Sequence, residues 1–362
     1  MRILRYGLTL LLLSSYCAPV FACDEGSISD CCIFKEAGQK RFTLPPSRIN
    51  LIELQDKNYY GGFANKVTIL TGTKRSPYFE MAEDIAAMML CDSIAFEAVS
   101  TKGSKENIAA LLSTNDAKFA IVQWDILQHQ YKENSDVKQF VRVVADLHLE
   151  EVHLIVRDNI KKWSDLAGKK VFLGNEGSGT LFTAKEILKL KQPIDFDRVT
   201  QLANPAKSLE LGEVDAIFSV IGAPAGGHIQ KVLLADSSGF KLLSTVSEND
   251  KPSNYVISTI TPDVYEGVKQ GTKTYAVNAS LVTYRWESKK KNRHFAKVCK
   301  ITATLYDSLT ANLDTLSELS SPRANGTGQS YANENWRKVD LYRFAETGGI
   351  TPRSECLQRL SF

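Results

Sequence analysis

The segment 169–190, KKVFLGNEGSGTLFTAKEILKL, constrains the fold more than any other part of the chain. A short apolar run at 171–173 has the length of a strand, a turn with three glycines follows, and apolar residues then recur at helical spacing from Leu181 to Leu188. Strand, glycine turn and helix in this order form the repeating unit of an open parallel sheet. The first amides of such a helix have no partner within it, so the turn predicts an anion site. An ordinary helix start capped by Ser178 or Thr180 remains the alternative.

Similar units lie on both sides of this segment. Strands are predicted at 67–70, 94–99, 119–123, 141–145, 152–156, 216–220 and 240–246, with a longer one at 274–284. Ser76 and Ser104 are predicted to cap the helices after the first two strands, and a helical tail is predicted from Arg293 to about Leu319. Short connections between strands and helices indicate parallel sheets with helices on both faces. The fold class is therefore α/β, with the strand 274–284 bridging two lobes that face each other across a cleft.

Length and charge narrow the functional class. A chain of 362 residues, 43% of them apolar, has enough material for two domains with their own cores. A net charge of +3 is too small and too dispersed to indicate nucleic-acid binding. No Cys-x-x-Cys pair or histidine cluster indicates a metal site, and His148 and His153 are predicted to be structural. We therefore predict no metal and no other cofactor.

Residues 1–22 have the organisation of a secretory signal peptide. Arg2 and Arg5 precede an apolar stretch at 8–13, and VFA at 20–22 forms a cleavage site. Cys23 follows directly, so that cleavage without lipid and a lipid anchor at Cys23 both remain open. The predicted location is the periplasm, an oxidising compartment. Six cysteines that remain after cleavage are predicted to form disulfides of undetermined pairing: Cys23, Cys31, Cys32, Cys91, Cys299 and Cys356.

Five polar turns follow the predicted strands, at 72–78, 103–107, 123–125, 174–180 and 221–227. Ligands of open α/β sheets bind at the carboxyl ends of the strands, and these turns are rich in Gly, Ser, Thr, Asn, Gln and Tyr. Ser178 and His228 are the only conceivable nucleophile and base, and no Gly-x-Ser-x-Gly motif supports them. The turns therefore predict a binding protein, and we expect no catalytic residue and no enzyme.

Six motifs follow one another in a characteristic order across about residues 66–285. They are TKGS at 101–104 with Asn107, AIVQ at 120–123 with Asp125, EVHLIV at 151–156, DLAGKKV at 165–171, GSGT at 177–180, and LGEVDA at 211–216 with Gly222 and Pro224. Together they resemble the TAXI class of solute-binding proteins, the extracytoplasmic subunits of tripartite (TRAP) transporters.

The resemblance implies the class II periplasmic-binding-protein fold, in which each lobe is a mostly parallel sheet flanked by helices and two hinge strands join the lobes. The expected organisation is a signal peptide at 1–22, an N-terminal extension at 23–62, lobe one at 63–157 and 276–362, and lobe two at 158–275. We expect the lobes to pivot near 152–157 and 274–282 and to close on a small ligand.

The resemblance also implies a ligand and partners. Studied members of the family bind small carboxylates such as glutamate or 2-oxoglutarate, so a small carboxylate or amino acid is the implied ligand and TRAP-type permease subunits are the implied partners. The implied ligand-binding residues lie in the five turns: Thr73, Arg75, Tyr78, Ser104, Asn107, Gln123, Gly177, Ser178, Thr180, Gly222 and Ala223. A monomer is expected. A binding protein that serves a sensor or regulatory partner, rather than a transporter, is the alternative.

The first of these turns departs from the family pattern. TKRSPYF at 73–79 has fewer glycines than the family and adds two positive charges, Lys74 and Arg75. An arginine can bind a ligand carboxylate through two parallel hydrogen bonds, whereas both side chains could equally face solvent at a loop tip. The ligand could therefore differ from that of the family members.

Overall fold

The structure, a computed structural model, describes residues 35–36, 39–40, 67–74, 76–89, 92, 94–113, 117–247, 254–285, 293–320 and 333–341. The described strands are β1 (Lys35–Glu36), β2 (Gln39–Lys40), β3 (Val67–Leu70), β4 (Phe96–Val99), β5 (Ala117–Gln123), β6 (Val141–Arg157), β7 (Lys170–Phe172), β8 (Asp197–Val199), β9 (Ala216–Ile221), β10 (Phe240–Leu242), β11 (Val256–Ile260) and β12 (Thr272–Tyr284). The described α-helices are α1 (Pro77–Met89), α2 (Ser104–Ser113), α3 (Trp124–Glu133), α4 (Ser135–Phe140), α5 (Gly179–Leu190), α6 (Pro205–Leu211) and α7 (Arg293–Leu319). Shorter helical turns lie at Trp163–Leu166, Ile229–Leu233 and Glu334–Lys338.

Two long strands, β6 and β12, form the middle of a ten-stranded sheet with the order β4-β3-β5-β12-β6-β9-β7-β8. They run antiparallel to each other, β5 is antiparallel to β12, and β9 is antiparallel to β6. Towards the two edges, β3 is parallel to β4 and β5, and β7 is parallel to β8 and β9, as the sequence predicts. The predicted bridging strand is confirmed as β12, while β10 and β11 pair with β6 and β12.

The prediction of two separate strands at 141–145 and 152–156 is wrong, because β6 continues without a break from Val141 to Arg157. Asp146, Glu150 and Glu151 interrupt the apolar pattern, yet all three side chains are buried. Between Val141 and Glu151 the backbone of β6 pairs with β12, with two local register shifts. Hydrogen bonds from distant elements satisfy these buried carboxyl groups, and a local sequence pattern gives no indication of such bonds.

The two ends of the sheet are two lobes joined by β6 and β12. Lobe one contains β3–β5 with α1–α4, and lobe two contains β7–β9 with α5 and α6. Each lobe has a buried apolar layer on both faces of its sheet. In β5, for example, Phe119 contributes to one layer and Ala120 to the other, because successive strand residues point to opposite faces. The sequence prediction of helices on both faces is thus confirmed.

The C-terminal part of the chain packs on lobe one. Helix α7 has the predicted bounds, and its Leu305 joins the same apolar layer as α1. The C-terminal segment, residues 333–341, adds Trp336 to that layer, where the side chain is 1% exposed. The backbone N–H of Asp340 donates to Leu147 O on β6 at 3.2 Å. This segment therefore lies beside a strand that joins the two lobes.

Several predictions for the N-terminal region lie outside the described residues. They are the signal peptide, its cleavage site, a lipid at Cys23 and most of the extension 23–62, in which the structure describes the short pair β1 and β2. Of the six cysteines, Cys299 alone is among the described residues, buried in α7, so the disulfide pairing stays a prediction. None of the described helices is both long enough and apolar enough to cross a membrane.

Candidate functional site

Asn107 holds the ends of three strands of lobe one together. Its Nδ2 donates to Thr71 O at 2.6 Å and to Ile121 O at 2.9 Å. Its Oδ1 accepts from Thr101 Oγ1 at 2.6 Å, and the side chain is fully buried. Both amide hydrogens are therefore used inside lobe one. Asn107 fixes the turns after β3, β4 and β5 from which other side chains reach the cleft.

Ser104 positions Gln123 at the end of β5. The hydroxyl oxygen of Ser104 accepts the backbone N–H of Gln123 at 2.9 Å, and both side chains are buried. Ser104 does not act as the predicted N-cap, because α2 begins at Ser104 itself and the hydroxyl group bonds to the neighbouring turn. The side chain of Gln123 then reaches lobe two, where a Cβ built on Gly179 would lie 1.4 Å from Gln123 Oε1. The missing side chain of Gly179 thus leaves room for an amide from the other lobe.

We expect Gly179→Ala to weaken this contact between the lobes, because the added methyl group needs the space that Gln123 Oε1 occupies. The free energy of unfolding should fall by about 1–2 kcal/mol, measured by denaturant titration, since the displaced atom ends a flexible side chain. Gly226→Ala is the matched control, because its nearest neighbour would lie at an ordinary 3.8 Å. In a double-mutant cycle Gln123→Ala should remove most of the loss, and an additive cycle would contradict the contact.

Asp125 makes a second contact across the cleft. It lies in the first turn of α3 and is 1% exposed. Its Oδ2 accepts from Thr183 Oγ1 of α5 at 2.6 Å and from Tyr255 OH at 2.8 Å, while Oδ1 accepts the Ile126 N–H at 2.8 Å. Burial raises the pKa of Asp125 to about 6, and these hydrogen bonds oppose the rise. The sequence prediction did not include Asp125 in the site, although its place two residues after Gln123 was the available signal.

Glu150 lies at the middle of β6 and faces lobe one. Its side chain is 5% exposed, and its Oε2 accepts from Tyr78 OH at 2.7 Å. The side chain of Gln123 also hydrogen-bonds this carboxyl group. Burial raises the pKa of Glu150 to about 8, against the two hydrogen bonds, and the nearby Asp125 and Glu151 raise it further. Two residues predicted to bind ligand, Tyr78 and Gln123, are thus engaged by a carboxyl group of the protein.

Glu151 points to the opposite face of β6. Its Oε2 accepts the Ala223 N–H at 2.8 Å, and Ser258 Oγ approaches Oε1 at 3.4 Å. The neighbouring Gly222 packs against the C-terminal segment, since a Cβ built there would lie 2.2 Å from Asn335 Oδ1. Gly222 and Ala223 are therefore covered by the chain itself. Two adjacent acidic residues in an apolar stretch could have indicated that Glu150 and Glu151 belong to the site. The nearby sequence gives no such indication for Asn335.

Both lobes line a cavity of about 190 Å³. Lobe one contributes Lys105, Ile126, His129 and Gln130, and lobe two contributes Glu176, Gly177, Ser178, Leu181, Phe182 and Lys185. Ser178 is the N-cap of α5, as predicted, because its Oγ accepts the Leu181 N–H at 3.2 Å. The cavity therefore combines apolar walls, one lysine from each lobe and the N-terminal turn of a helix.

The structure separates the predicted ligand-binding residues into groups. Gly177 and Ser178 line the cavity, and Tyr78 and Gln123 meet at Glu150. Thr180 Oγ1 accepts the Val220 N–H at 3.2 Å, which leaves its hydroxyl hydrogen for another acceptor. Thr73 is exposed in the first turn. Arg75 lies outside the described residues.

Ser178 and His228, the only conceivable nucleophile and base, contact different partners. Ser178 Oγ accepts from the helix backbone, whereas His228 Nε2 lies 3.1 Å from Glu210 Oε2. His153 is structural, as predicted: its Nε2 accepts from Tyr265 OH at 2.7 Å, and burial lowers its pKa to about 4. Among the residues described here, no three His, Cys, Asp or Glu side chains are grouped so that they could hold a metal ion.

Two lobes that together line a cavity and touch beside it through polar side chains have the arrangement of a two-lobed binding protein. The family model of the NMT1-like family matches residues 69–322. The chain therefore belongs to the NMT1-like family, a family of periplasmic solute-binding proteins.

Solved structures of transport proteins are similar to this chain. A TctC solute-binding protein from Polaromonas is 13% identical, with coverage of 83% of this chain and 99% of that one and a TM-score of 0.44. The periplasmic sulfonate-binding protein SsuA from Methylobacillus flagellatus KT is 16% identical, with coverage of 82% and 95% and a TM-score of 0.43. An L-cystine ABC transporter protein from Listeria monocytogenes is 14% identical, with coverage of 74% and 98% and a TM-score of 0.41.

Proposed function

We propose that this protein is an extracytoplasmic solute-binding protein of the TAXI class, which captures a small organic acid and delivers it to a TRAP-type membrane permease. The observation that carries the proposal is the cavity between the lobes. Lys105 of lobe one and Lys185 of lobe two line it together with Gly177 and Ser178. A carboxylate there would meet positive charge from both lobes and the free amides of the first turn of α5.

The second polar group of the solute has partners in the same cavity. Gln130 offers an amide and Glu176 a carboxylate, which suits the amino group of an amino acid such as glutamate. With a dicarboxylate such as 2-oxoglutarate, one of the two lysines would bind the first carboxylate and the other lysine would bind the second. Ile126, Leu181 and Phe182 would cover the carbon chain between the polar ends.

Closure of the lobes is the working step in this proposal. We take 63–157 with 276–362 and 158–275 as the moving units, with pivots near 152–157 and 274–282. The contacts of Gln123 with Gly179 and of Asp125 with Thr183 belong to the closed form. A solute that binds both lobes favours this form by its higher affinity for it. The closed, solute-bound protein then docks on the permease at the periplasmic face of the membrane.

A thermal-shift screen of the purified protein against dicarboxylates, amino acids and sugars tests the function. A solute at about a hundredfold over its dissociation constant adds about 2.7 kcal/mol to the free energy of unfolding, which is a shift of several degrees. We expect this shift with a carboxylate such as 2-oxoglutarate or glutamate.

Lys105→Ala and Lys185→Ala should each weaken binding about tenfold or more, because each removes a charge-assisted contact. Lys132→Ala, an exposed lysine of α3 outside the cavity, is the control. A shift with sugars alone, or an equal effect of all three variants, would contradict the proposal.

A further inference from the structure

The C-terminal segment, residues 333–341, is fixed to lobe one. The Asn333 N–H and Trp336 Nε1 both donate to Asp84 Oδ2 on α1 at 2.8 Å. Asn333 Nδ2 donates to Glu80 Oε2, also on α1, at 2.7 Å. Trp336 is 1% exposed within the apolar layer that α1 and α7 share. Hydrogen bonds and burial therefore make this segment part of lobe one.

The same segment reaches lobe two through Asn335. Its side chain is buried, and it lies between the two anchoring residues Asn333 and Trp336. A Cβ built on Gly222, in the turn after β9, would lie 2.2 Å from Asn335 Oδ1 and 3.0 Å from Asn335 Cγ. The side chain of Asn335 thus fills the space that Gly222 leaves open. Because lobe one carries Asn335 and lobe two carries Gly222, this contact depends on the position of the lobes relative to each other.

A network around Glu151 joins the same elements. Glu151 Oε2, on β6, accepts the Ala223 N–H at 2.8 Å, next to Gly222 in the turn. Burial lowers the pKa of Lys338, in the C-terminal segment, and attraction by Glu151 and Glu334 opposes the fall. The carboxyl group of Glu151 therefore interacts with both the turn of lobe two and the C-terminal segment.

These contacts lie outside the cavity. None of the described residues 333–341 is among those that line it, and neither Gly222 nor Glu151 is. The C-terminal segment is therefore not placed to bind the solute itself. It can act on the solute through the relative position of the lobes, on which the closed form depends.

We propose that Asn335 is a positioning residue for solute capture, because it holds the turn after β9 in the place that the closed arrangement requires. Loss of the contact makes closure more costly and lowers the affinity for the solute, although Asn335 does not touch the solute. The proposal rests on the proposed function, since it takes closure of the lobes on a solute as the working step. It adds that the C-terminal segment, as part of lobe one, sets part of the free energy of closure.

Gly222→Ala tests the contact from lobe two. The added methyl group needs the space of Asn335 Oδ1, so the turn and the C-terminal segment must separate in the closed form. We expect the affinity for 2-oxoglutarate, measured by calorimetric titration of the folded protein, to fall about tenfold. Gly226→Ala is the matched control, because a Cβ at this position of the same turn would have its nearest neighbour, Glu334 Oε1, at 3.8 Å. This control should bind 2-oxoglutarate as the wild-type protein does.

Asn335→Ala tests the same contact from lobe one and does not depend on how Gly222→Ala folds. It removes the amide that packs on Gly222, so the affinity should fall about tenfold again. In the double variant the shorter side chain makes room for the added methyl group, so that the total loss should stay at about tenfold. A role in stability alone would lower the denaturant midpoint and leave the affinity of the folded protein unchanged. An unchanged affinity in both single variants, or losses that add in the double variant, overturns the proposal.

Small-angle X-ray scattering without solute separates this proposal from the proposed function. Loss of the contact should shift the solute-free protein towards more open arrangements, with a larger radius of gyration in Gly222→Ala and Asn335→Ala than in the wild-type protein and Gly226→Ala. If this shift is present but the wild-type protein binds no 2-oxoglutarate, the organic-acid function has failed and the positioning role of Asn335 stands. If the radius of gyration is the same in all four proteins, the proposal fails by itself, and binding of 2-oxoglutarate by the wild-type protein still supports the proposed function.

Discussion

Trp336→Ala is expected to lower the free energy of unfolding by about 4 kcal/mol, the largest effect that we predict for a single substitution. The side chain is 1% exposed and belongs to the apolar layer formed by α1 and α7. Its Nε1 donates to Asp84 Oδ2 at 2.8 Å, and the Asn333 N–H donates to the same oxygen at 2.8 Å. The substitution would leave a large cavity and remove the indole donor from a buried carboxylate. Denaturant titration at neutral pH measures the loss.

Trp336→Phe is the matched control, because it keeps most of the apolar volume and removes the indole N–H. We expect this variant to lose about 1–3 kcal/mol, with Asp84 still held by Asn333. A loss below about 1 kcal/mol in Trp336→Ala would contradict the packing of the C-terminal segment on lobe one.

Asn107→Ala is expected to cost about 3 kcal/mol, because it removes three buried hydrogen bonds at once. The hydroxyl hydrogen of Thr101 would then be free to go to Thr71 O, which lies 2.7 Å from Thr101 Oγ1, whereas Ile121 O would lose the amide of Asn107. The turns after β3, β4 and β5 would then lack the side chain that hydrogen-bonds all three together. Solute affinity should fall together with stability, although Asn107 need not touch the solute.

Asn134→Ala provides the comparison on the surface of the same lobe. Asn134 caps α4 by accepting the Asp136 N–H at 2.9 Å, and loss of such a cap costs about 1 kcal/mol. Solute affinity should stay at the wild-type value in this variant. Equal losses of stability in the two variants would show that Asn107 is an ordinary capping residue and not the attachment of three strands.

Local patterns predicted the strands β3, β4, β5, β7 and β9 and the helices α1, α2, α5 and α7, whereas the edge strand β8 and the helices α4 and α6 were not predicted. The strand, glycine turn and helix at 169–190 are confirmed as β7 and α5, with Ser178 as the N-cap. The bounds of α7 are confirmed at Arg293–Leu319. In these places the side chains that decide the local structure are close in sequence, so that spacing and capping residues carry the information.

Long-range hydrogen bonds explain where the sequence reasoning failed. The continuity of β6 depends on partners for Glu150 and Glu151 that lie on α1, on β5 and in the turn after β9. Ser104 looked like a helix cap, and its hydroxyl group instead accepts from Gln123, 19 residues away. Gly177 and Ser178 could be predicted near a ligand because a helix start is a local feature. No feature of the sequence near Gly222 indicates that Asn335 packs against it.

Hydrogen exchange of the purified protein, with and without the carboxylate that binds it, tests the central claim most directly. A solute held between the lobes should slow amide exchange on both sides of the cavity, at 123–131 of lobe one and at 176–185 of lobe two. Exchange at β4 and β8, at the far edges of the sheet, should change little. Protection confined to one lobe, or no protection at either segment, would contradict the account that one solute is enclosed by both lobes.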